Sequence, residues 1–339
     1  ALYGIRYYMD IKDIDQKEKD AHPEKIYFNR FASRYDMNRY FTEKVYEDER
    51  YIVYKNPNSF PLAFATNDLT RNINFGTNNA VKNQDIILNS MEGVQKNQEN
   101  YLEYFKPLAF GEVETENLVA EEVNIETGTA IYNREDSSRE AIVRYRITPQ
   151  TDLTYYFFVP ASLNSDKEYS VLLNGKWLTH SKRNTQRQLW QIADNASGQE
   201  IVLEFRFKTD KVDMSNVGVY RAEISQIQKV LENRKAQGMQ VEKFSNTHIV
   251  GSIDITDDSK FMMTSIPFSE GWKVKVDGKD VPTSKAWNSF LSFPITPGKH
   301  KIEFVFTQKG RLIGSVITVV SLTTLYFIRK KYKKDQNPA

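Results

Sequence analysis

The sequence predicts a mainly β protein with some α: tandem β-sandwich, jelly-roll-like modules, preceded by a small α/β region and followed by one transmembrane helix. Three observations predict it. Runs of β-branched and aromatic residues recur with a period of two between Phe110 and Phe306. Two of those stretches share one order of elements. An uncharged apolar segment near the C-terminus is followed by a block of cations.

The first hundred residues are mixed. Residues 26–31 and 51–54 read as short strands or buried turns, and Asn56-Pro57-Asn58-Ser59-Phe60-Pro61 is a turn whose two prolines continue neither regular element. From Ala80 to Phe105 the apolar residues Val81, Ile86, Ile87, Met91, Val94, Tyr101, Leu102 and Phe105 recur at spacings near three and four. That spacing predicts a helix, which Pro107 would stop.

Beyond Phe110 the period becomes two, with strands expected over residues 142–147, 155–159, 170–173 and 201–207. Residues 218–238 read as an amphipathic helix with Tyr220, Ile224, Ile227 and Leu231 on one stripe. Strands resume at His248 and continue to Phe306. The repeat lies across these stretches. Ser170-Val171-Leu172-Leu173-Asn174-Gly175-Lys176 leads to Leu189-Trp190, Gly198 and the strand at 201–207; Lys273-Val274-Lys275-Val276-Asp277-Gly278-Lys279 leads to Phe290-Leu291, Gly298 and the strand at 301–306. Asn174-Gly175 and Asp277-Gly278 are signals for two-residue type I′ hairpins, whose central residues both need positive φ. The expected divisions are a membrane-proximal α/β region over 1–105, a first sandwich over 106–245, a second over 246–308, and a helix with a basic tail over 309–339.

Leu312 to Ile328 carries no charge. At about 1.5 Å per residue it covers roughly 25 Å, slightly less than a hydrocarbon core of roughly 30 Å, so Lys309 and Arg311 are expected to snorkel. The Ser and Thr hydroxyls are expected to bond back to carbonyls one turn earlier. Arg329, Lys330, Lys331, Lys333 and Lys334 then form a cytoplasmic anchor, which puts 329–339 inside the cell and 1–308 outside. Residues 1–308 hold 39 basic and 43 acidic side chains, a net charge of −4, so nothing in the balance suggests a nucleic-acid partner, which would need a clustered basic face. With no cysteine there is no disulfide, thiolate nucleophile or Cys-ligated zinc. The chain starts at Ala1 without a basic and apolar leader, and is expected to be part of a longer protein whose upstream segments thread it across the membrane.

The residues offer little independent chemistry. His22, His180, His248 and His300 lack metal-ligand spacing. Glu112, Glu114 and Glu116 alternate as a solvated strand face does, whereas an acid/base pair needs unlike environments across a cleft. Asp254, Asp257 and Asp258 lack the order of a calcium loop. The candidate ligand contacts are aromatic. Trp177 and Trp190 have polar neighbours and are candidates for stacking on a sugar ring, and Tyr35 with Arg34 for facing an anionic polymer; ordinary packing is the alternative for each.

Ser269-Glu270-Gly271-Trp272 through Asp277-Gly278-Lys279, then Phe290, Pro297-Gly298-Lys299-His300, Ile302, Phe304, Phe306 and the closing span resemble the C-terminus of YfhO-type bacterial membrane proteins. Tyr3-Gly4-Ile5-Arg6-Tyr7-Tyr8, Val53-Tyr54-Lys55-Asn56-Pro57 with Phe60-Pro61-Leu62-Ala63-Phe64, and Asn79 to Asp85 are similar to three further passages of that family. The resemblance implies a polytopic glycosyltransferase that uses a polyprenyl-phosphate sugar as donor and a cell-envelope polymer such as lipoteichoic or wall teichoic acid as acceptor. It implies a catalytic carboxylate upstream of this chain, so no catalytic residue is carried over and no cofactor is expected here. Its implied partners are membrane lipid, the envelope polysaccharide or teichoic acid, and a polyprenyl-phosphate sugar synthase and flippase. A membrane-anchored, non-catalytic polysaccharide-binding or structural sandwich protein is the alternative.

Overall fold

The computed structural model describes residues 6–11, 43–48, 51–75, 79–124, 127–164, 169–181 and 188–336. The expected element at 26–31, and Arg34 and Tyr35, lie outside these residues. Contacts divide the chain into two compact units, residues 1–60 with 67–236 and residues 61–66 with 237–339.

In the first unit, β1 (Tyr7–Ile11), β2 (Glu43–Glu47) and β3 (Tyr51–Lys55) form a small antiparallel sheet with β3 central. The next strand, β4 (Ala63–Thr66), belongs to the second unit. Two helices follow, α1 (Asp68–Arg71) and α2 (Ala80–Met91). Asn79 caps α2, its Oδ1 accepting from the backbone N–H groups of Val81 (2.9 Å) and Lys82 (3.2 Å).

The helix expected to reach Phe105 stops at Met91. Gly93 takes φ +74° and donates to Ser90 O (3.1 Å), while the N–H of Val94 reaches Asn89 O (2.9 Å). This paired closure of the last turn is a Schellman motif, and glycine meets its left-handed residue without a Cβ penalty. Apolar spacing continued beyond Met91, but the backbone had already been turned.

The strands of the first sandwich are β5 (Phe105–Leu108), β6 (Glu112–Glu116), β7 (Leu118–Asn124), β8 (Thr129–Arg134), β9 (Ala141–Ile147) and β10 (Thr154–Val159). After the single turn α3 (Ala161–Asn164) come β11 (Tyr169–Leu173), β12 (Lys176–Ser181), β13 (Gln188–Ala193), β14 (Ile201–Phe207), β15 (Lys211–Asp213) and β16 (Gly218–Ala222). One sheet has the order β12-β11-β14-β9-β6 and a second the order β13-β10-β16-β5, with β15-β8-β7 as a smaller third. Burial alternates strictly along β9 and β14, so one face of each is sealed. Val143, Tyr145, Phe157, Trp190, Leu203, Phe205 and Phe207 share one core, where each large side chain contributes about 1.5–3 kcal/mol by leaving water.

The expected helix over 218–238 starts later. Val219 and Tyr220 are buried on β16, between β10 and β5, and only Ile224–Ala236 (α4) is helical. Two pairing partners outweigh the helical spacing of Tyr220 and Ile224.

The second unit contains β17 (Gln240–Phe244), β18 (His248–Ile255), β19 (Phe261–Pro267), β20 (Trp272–Val276), β21 (Lys279–Val281), β22 (Ser284–Ala286), β23 (Phe290–Pro294) and β24 (Gly298–Phe306), then α5 (Arg311–Gln336). Its sheets run β17-β18-β24-β20-β21 and β22-β23-β19-β4. The first order is the same as β6-β9-β14-β11-β12, so the repeat read from the sequence is a repeat of topology. Asn174, Gly175, Asp277 and Gly278 have φ of 50°, 76°, 52° and 79°, as type I′ turns require.

The expected boundaries shift. The second module begins before residue 246 because β17 is its edge strand, and it takes β4 from the stretch assigned to 1–105. Trp287, read as part of a strand-like run, stands at φ 50° in the turn between β22 and β23.

Helix α5 holds one 18-residue span, Ile313–Lys330, long and apolar enough to cross a membrane, and none of that window is buried in the protein. Thr318, Thr323 and Thr324 each donate their hydroxyl to the carbonyl four residues earlier, at 2.8–2.9 Å. Their polar atoms are thereby satisfied within the helix.

Candidate functional site

Cross-strand register builds one row on the outer face of the first module's five-stranded sheet. Trp177 pairs with Leu172, Leu172 with Glu204, Glu204 with Arg144, and Arg144 with Glu114. The next row toward one edge pairs Val202 with Arg146 and Arg146 with Glu112. The alternation that sends Leu203, Phe205, Val143 and Tyr145 inward sends these charges outward.

The charges form a continuous ladder. Arg144 donates to Glu204 and Glu116. Arg146 donates to both carboxylate oxygens of Glu114 (2.7 and 3.3 Å) and to Glu200 (2.9 Å), and Arg206 donates to Glu204 (2.6 Å). Burial raises the pKa of Glu204, but the Arg144 and Arg206 guanidiniums outweigh it and hold the carboxyl below its usual range. Glu114 is lowered chiefly by the bond from Arg146. These carboxylates are therefore ionised and paired. Such an arrangement hydrogen-bonds a polar ligand but supplies no proton, since acid catalysis needs a carboxyl held in its neutral form.

The sequence-predicted contacts separate. Trp177 is half-buried on the edge strand β12, at the end of the charged row. Trp190 is 3% exposed, stacked on Phe157 with centroids 6.4 Å apart and packed against Phe205. Its polar sequence neighbours suggested exposure, yet alternation on β13 turns the indole into the core. Trp190 is a packing residue and is withdrawn as a ligand contact. Arg34 and Tyr35 lie outside the described residues.

The remaining candidates are local. Glu112, Glu114 and Glu116 share one strand, as a solvated face does. Asp257 accepts from the N–H of Ser259 (3.0 Å), and Asp254 stands on β18 near Lys299. Among the described residues no three His, Asp or Glu side chains gather as a metal site would require.

Sequence reasoning missed a buried polar scaffold on α2. Asp85 Oδ1 accepts from the N–H groups of Tyr104 (2.9 Å) and Phe105 (3.1 Å). One turn on, Asn89 accepts from Leu102 N (2.9 Å) and donates to Leu102 O (2.7 Å). The two side chains bind the approach to β5 as a neighbouring strand would. Asn79 Nδ2 donates to the Tyr220 hydroxyl at 2.6 Å. Burial pushes the Asp85 carboxyl up to about 7, against the two N–H bonds that favour its charged form. The one legible signal was a polar i, i+4 pair, Asp85 and Asn89, inside an otherwise apolar helix face.

Residues 1–318 match the family described as "Bacterial membrane protein YfhO". "Uncharacterized protein YfhO" of Bacillus subtilis (strain 168) is 23% identical over 120 residues, which are 35% of this chain and 14% of that protein. The chain thus spans a small part of the relative's length. Among solved structures, a family 35 carbohydrate binding module from Clostridium thermocellum aligns with 34% of this chain and 97% of its own, at 14% identity and TM-score 0.24. A β-glucuronidase of Faecalibacterium prausnitzii aligns with 60% of this chain and 42% of its own, at 10% identity and TM-score 0.26. Likeness at that level carries nothing about function. The family match runs through both sandwich modules and into the apolar helix, and on that extent the chain belongs to the YfhO family of bacterial membrane proteins.

Proposed function

We propose that this chain is the extracytoplasmic C-terminal part of a polytopic membrane glycosyltransferase. The whole protein moves a sugar from a polyprenyl-phosphate donor to a cell-envelope polymer such as lipoteichoic acid, and this part shapes acceptor binding. One observation carries the reading: β24 ends at Phe306 and α5 starts at Arg311, so with α5 across the bilayer a β-sandwich would stand directly at the surface of a membrane that holds a lipid-linked donor. The basic stretch 329–334 favours a cytoplasmic end for α5 and an outer position for the sandwiches.

The charged row ending in Trp177 is the favoured acceptor face, since paired Arg and Glu groups suit a sugar's hydroxyls and the indole suits its apolar side. The polymer, a polyprenyl-phosphate sugar synthase and a flippase are the partners this reading requires. Full-length protein is to be compared with a variant lacking residues 106–308, matched for membrane insertion, by the sugar incorporated into wall polymer. Loss of incorporation supports an acceptor domain; unchanged incorporation overturns it. A second reading, a non-catalytic polysaccharide-binding protein, draws on the paired, ionised state of the sheet-face carboxylates. Purified full-length protein that binds polymer but transfers no sugar from a polyprenyl-phosphate donor would select it.

A further inference from the structure

The second module has two ends, separated by the nine residues of β24, about 30 Å. The Asp277-Gly278 hairpin and His300 occupy one. The other gathers the starts and ends of several elements. Phe244 closes β17, Pro267 ends β19 with Phe268 next, Trp272 opens β20, Trp287 turns between β22 and β23, and Phe306 ends β24. Backbone bonds tie these segments together: Phe306 N to Thr247 O (2.8 Å), Thr307 N to Gly271 O (2.9 Å) and Phe268 N to Ser289 O (2.8 Å).

This end is aromatic and basic. Trp272 packs on Phe306 at 5.0 Å between centroids, Trp287 meets Phe290 edge-on at 6.2 Å, and Lys285 Nζ lies 5.2 Å over the Phe268 ring. Phe244 is 65% exposed, although Phe304 of the same sheet is fully buried. Lys309 pairs with Glu270 beside the start of α5. Amphipathic rings with interspersed cations are the composition that settles at a membrane's headgroup level.

Chain length brings this end to the bilayer. Thr307 still belongs to the ladder, and Arg311 N bonds back to Gln308 O (3.3 Å) to open the helix. Only residues 308–310 lie between, a reach of about 10 Å at most. The apolar segment from Leu312 to Ile328 is about 5 Å short of the hydrocarbon core, and such a deficit draws the flanking residues toward the boundary.

We propose that this aromatic end of the second module rests in the headgroup layer of the membrane that α5 crosses, with Phe244, Trp272 and Trp287 as its contacts. The lipid surface is the partner, and the contact fixes the module's tilt on the bilayer. It is independent of the sugar-transfer reading, since it requires only that α5 spans.

This chain contains no cysteine, so once any cysteine elsewhere in the full-length protein is replaced by serine, single nitroxide labels can be placed here cleanly. Phe244→Cys, Ser289→Cys and, at the opposite end, Lys279→Cys are exposed positions that alter no buried contact. Each is labelled in full-length protein reconstituted in phosphatidylcholine–phosphatidylglycerol vesicles, and its collisions with oxygen and with a water-soluble nickel chelate are measured by electron paramagnetic resonance. The expected result is a several-fold drop in nickel collisions and a rise in oxygen collisions at 244 and 289, against a fully aqueous 279. Equal aqueous accessibility at all three sites overturns the proposal. Shielding of 244 and 289 from both reagents also overturns it, in favour of a protein partner.

Discussion

Asn174 and Asp277 make the same two bonds in the two modules. Asn174 donates its N–H to Val202 O (2.8 Å) and accepts from Val202 N through Oδ1 (2.8 Å); Asp277 does the same with Lys301, also at 2.8 Å in each direction. Each residue sits at φ near 50° and fastens its hairpin to a later strand of the same sheet, β14 in the first module and β24 in the second. Side chains with a short acceptor are the non-glycine residues that occupy this backbone region most readily.

Replacing either by alanine removes the acceptor and keeps the left-handed strain. Asn174→Ala is expected to lower stability by about 2 kcal/mol, and Asn174→Asp by much less, because Asp277 shows the carboxylate fits. Denaturant melts of both variants check this, and equal losses would count against the equivalence.

Asp277 also holds His300, whose Nδ1 lies 2.8 Å from Asp277 Oδ2 while Nε2 is 2.9 Å from Thr296 O. Burial lowers the imidazole pKa, but the Asp277 bond and the Thr296 carbonyl more than reverse it, and the value stands above 6.5. Asp277 is lowered below 3.8, chiefly by His300. A raised histidine contributes fully below its unfolded value and loses that contribution as pH rises through the folded one. A lowered aspartate contributes above its unfolded value and loses it on acidification. The pair therefore stabilises most between about pH 4 and 6.5. The melting temperature of wild type should fall relative to His300→Ala as pH rises above 6.5.

Asp85 has the opposite sign. Its carboxyl is raised from 3.8 to about 7, so the folded state resists ionisation that the unfolded chain accepts. Stability is highest below about pH 4 and declines as pH rises toward 7. Asp85→Asn keeps an acceptor for Tyr104 and Phe105 and should flatten that decline, whereas Asp85→Ala leaves two buried N–H groups unpaired and should cost about 2–4 kcal/mol at every pH. Thermal melts of the three proteins between pH 4 and 8 decide it.

A Cβ on Gly271 would stand 2.6 Å from Thr307 O, and one on Gly251 would stand 2.3 Å from Gln240 O. Both obstacles are backbone. Gly271→Ala and Gly251→Ala should each lower stability by about 2–3 kcal/mol, with losses localised to the second module by hydrogen exchange.

Tyr145 is buried in the first core, and its hydroxyl has no hydrogen-bond partner among the described residues. Tyr145→Phe should therefore be neutral or stabilise by about 1 kcal/mol, unlike most core substitutions. A loss above 1 kcal/mol in chemical denaturation would sink this prediction.

Strand positions, hairpin turns and the topological repeat were legible because alternation and Asn-Gly or Asp-Gly pairs are local signals. Helix limits were less so. The Gly93 closure was readable, yet apolar spacing through Phe105 masked it, and nothing in Val219-Tyr220 announces that β10 and β5 lie on either side. The candidate face was half legible. Trp177 and the Glu112, Glu114, Glu116 alternation stand in the sequence, but the arginines that pair with Glu114 and Glu116 come from β9, at separations no local pattern encodes. Trp190 failed for the same reason, since its surroundings are made by strands distant in sequence.

The short strand β4 has a consequence for how the protein is made. Residues 63–66 pair with 261–264, so the fourth strand of its sheet leaves the ribosome about two hundred residues ahead of its ladder partner β19 and must wait for it. At roughly 5–20 residues per second that is a delay of some 10–40 s. Meanwhile the first module, whose partners lie between 67 and 236, has all it needs to close. Biosynthesis thus leaves a four-residue strand edge open across the whole birth of its neighbour, and this sheet is completed only when β19 arrives to pair with it.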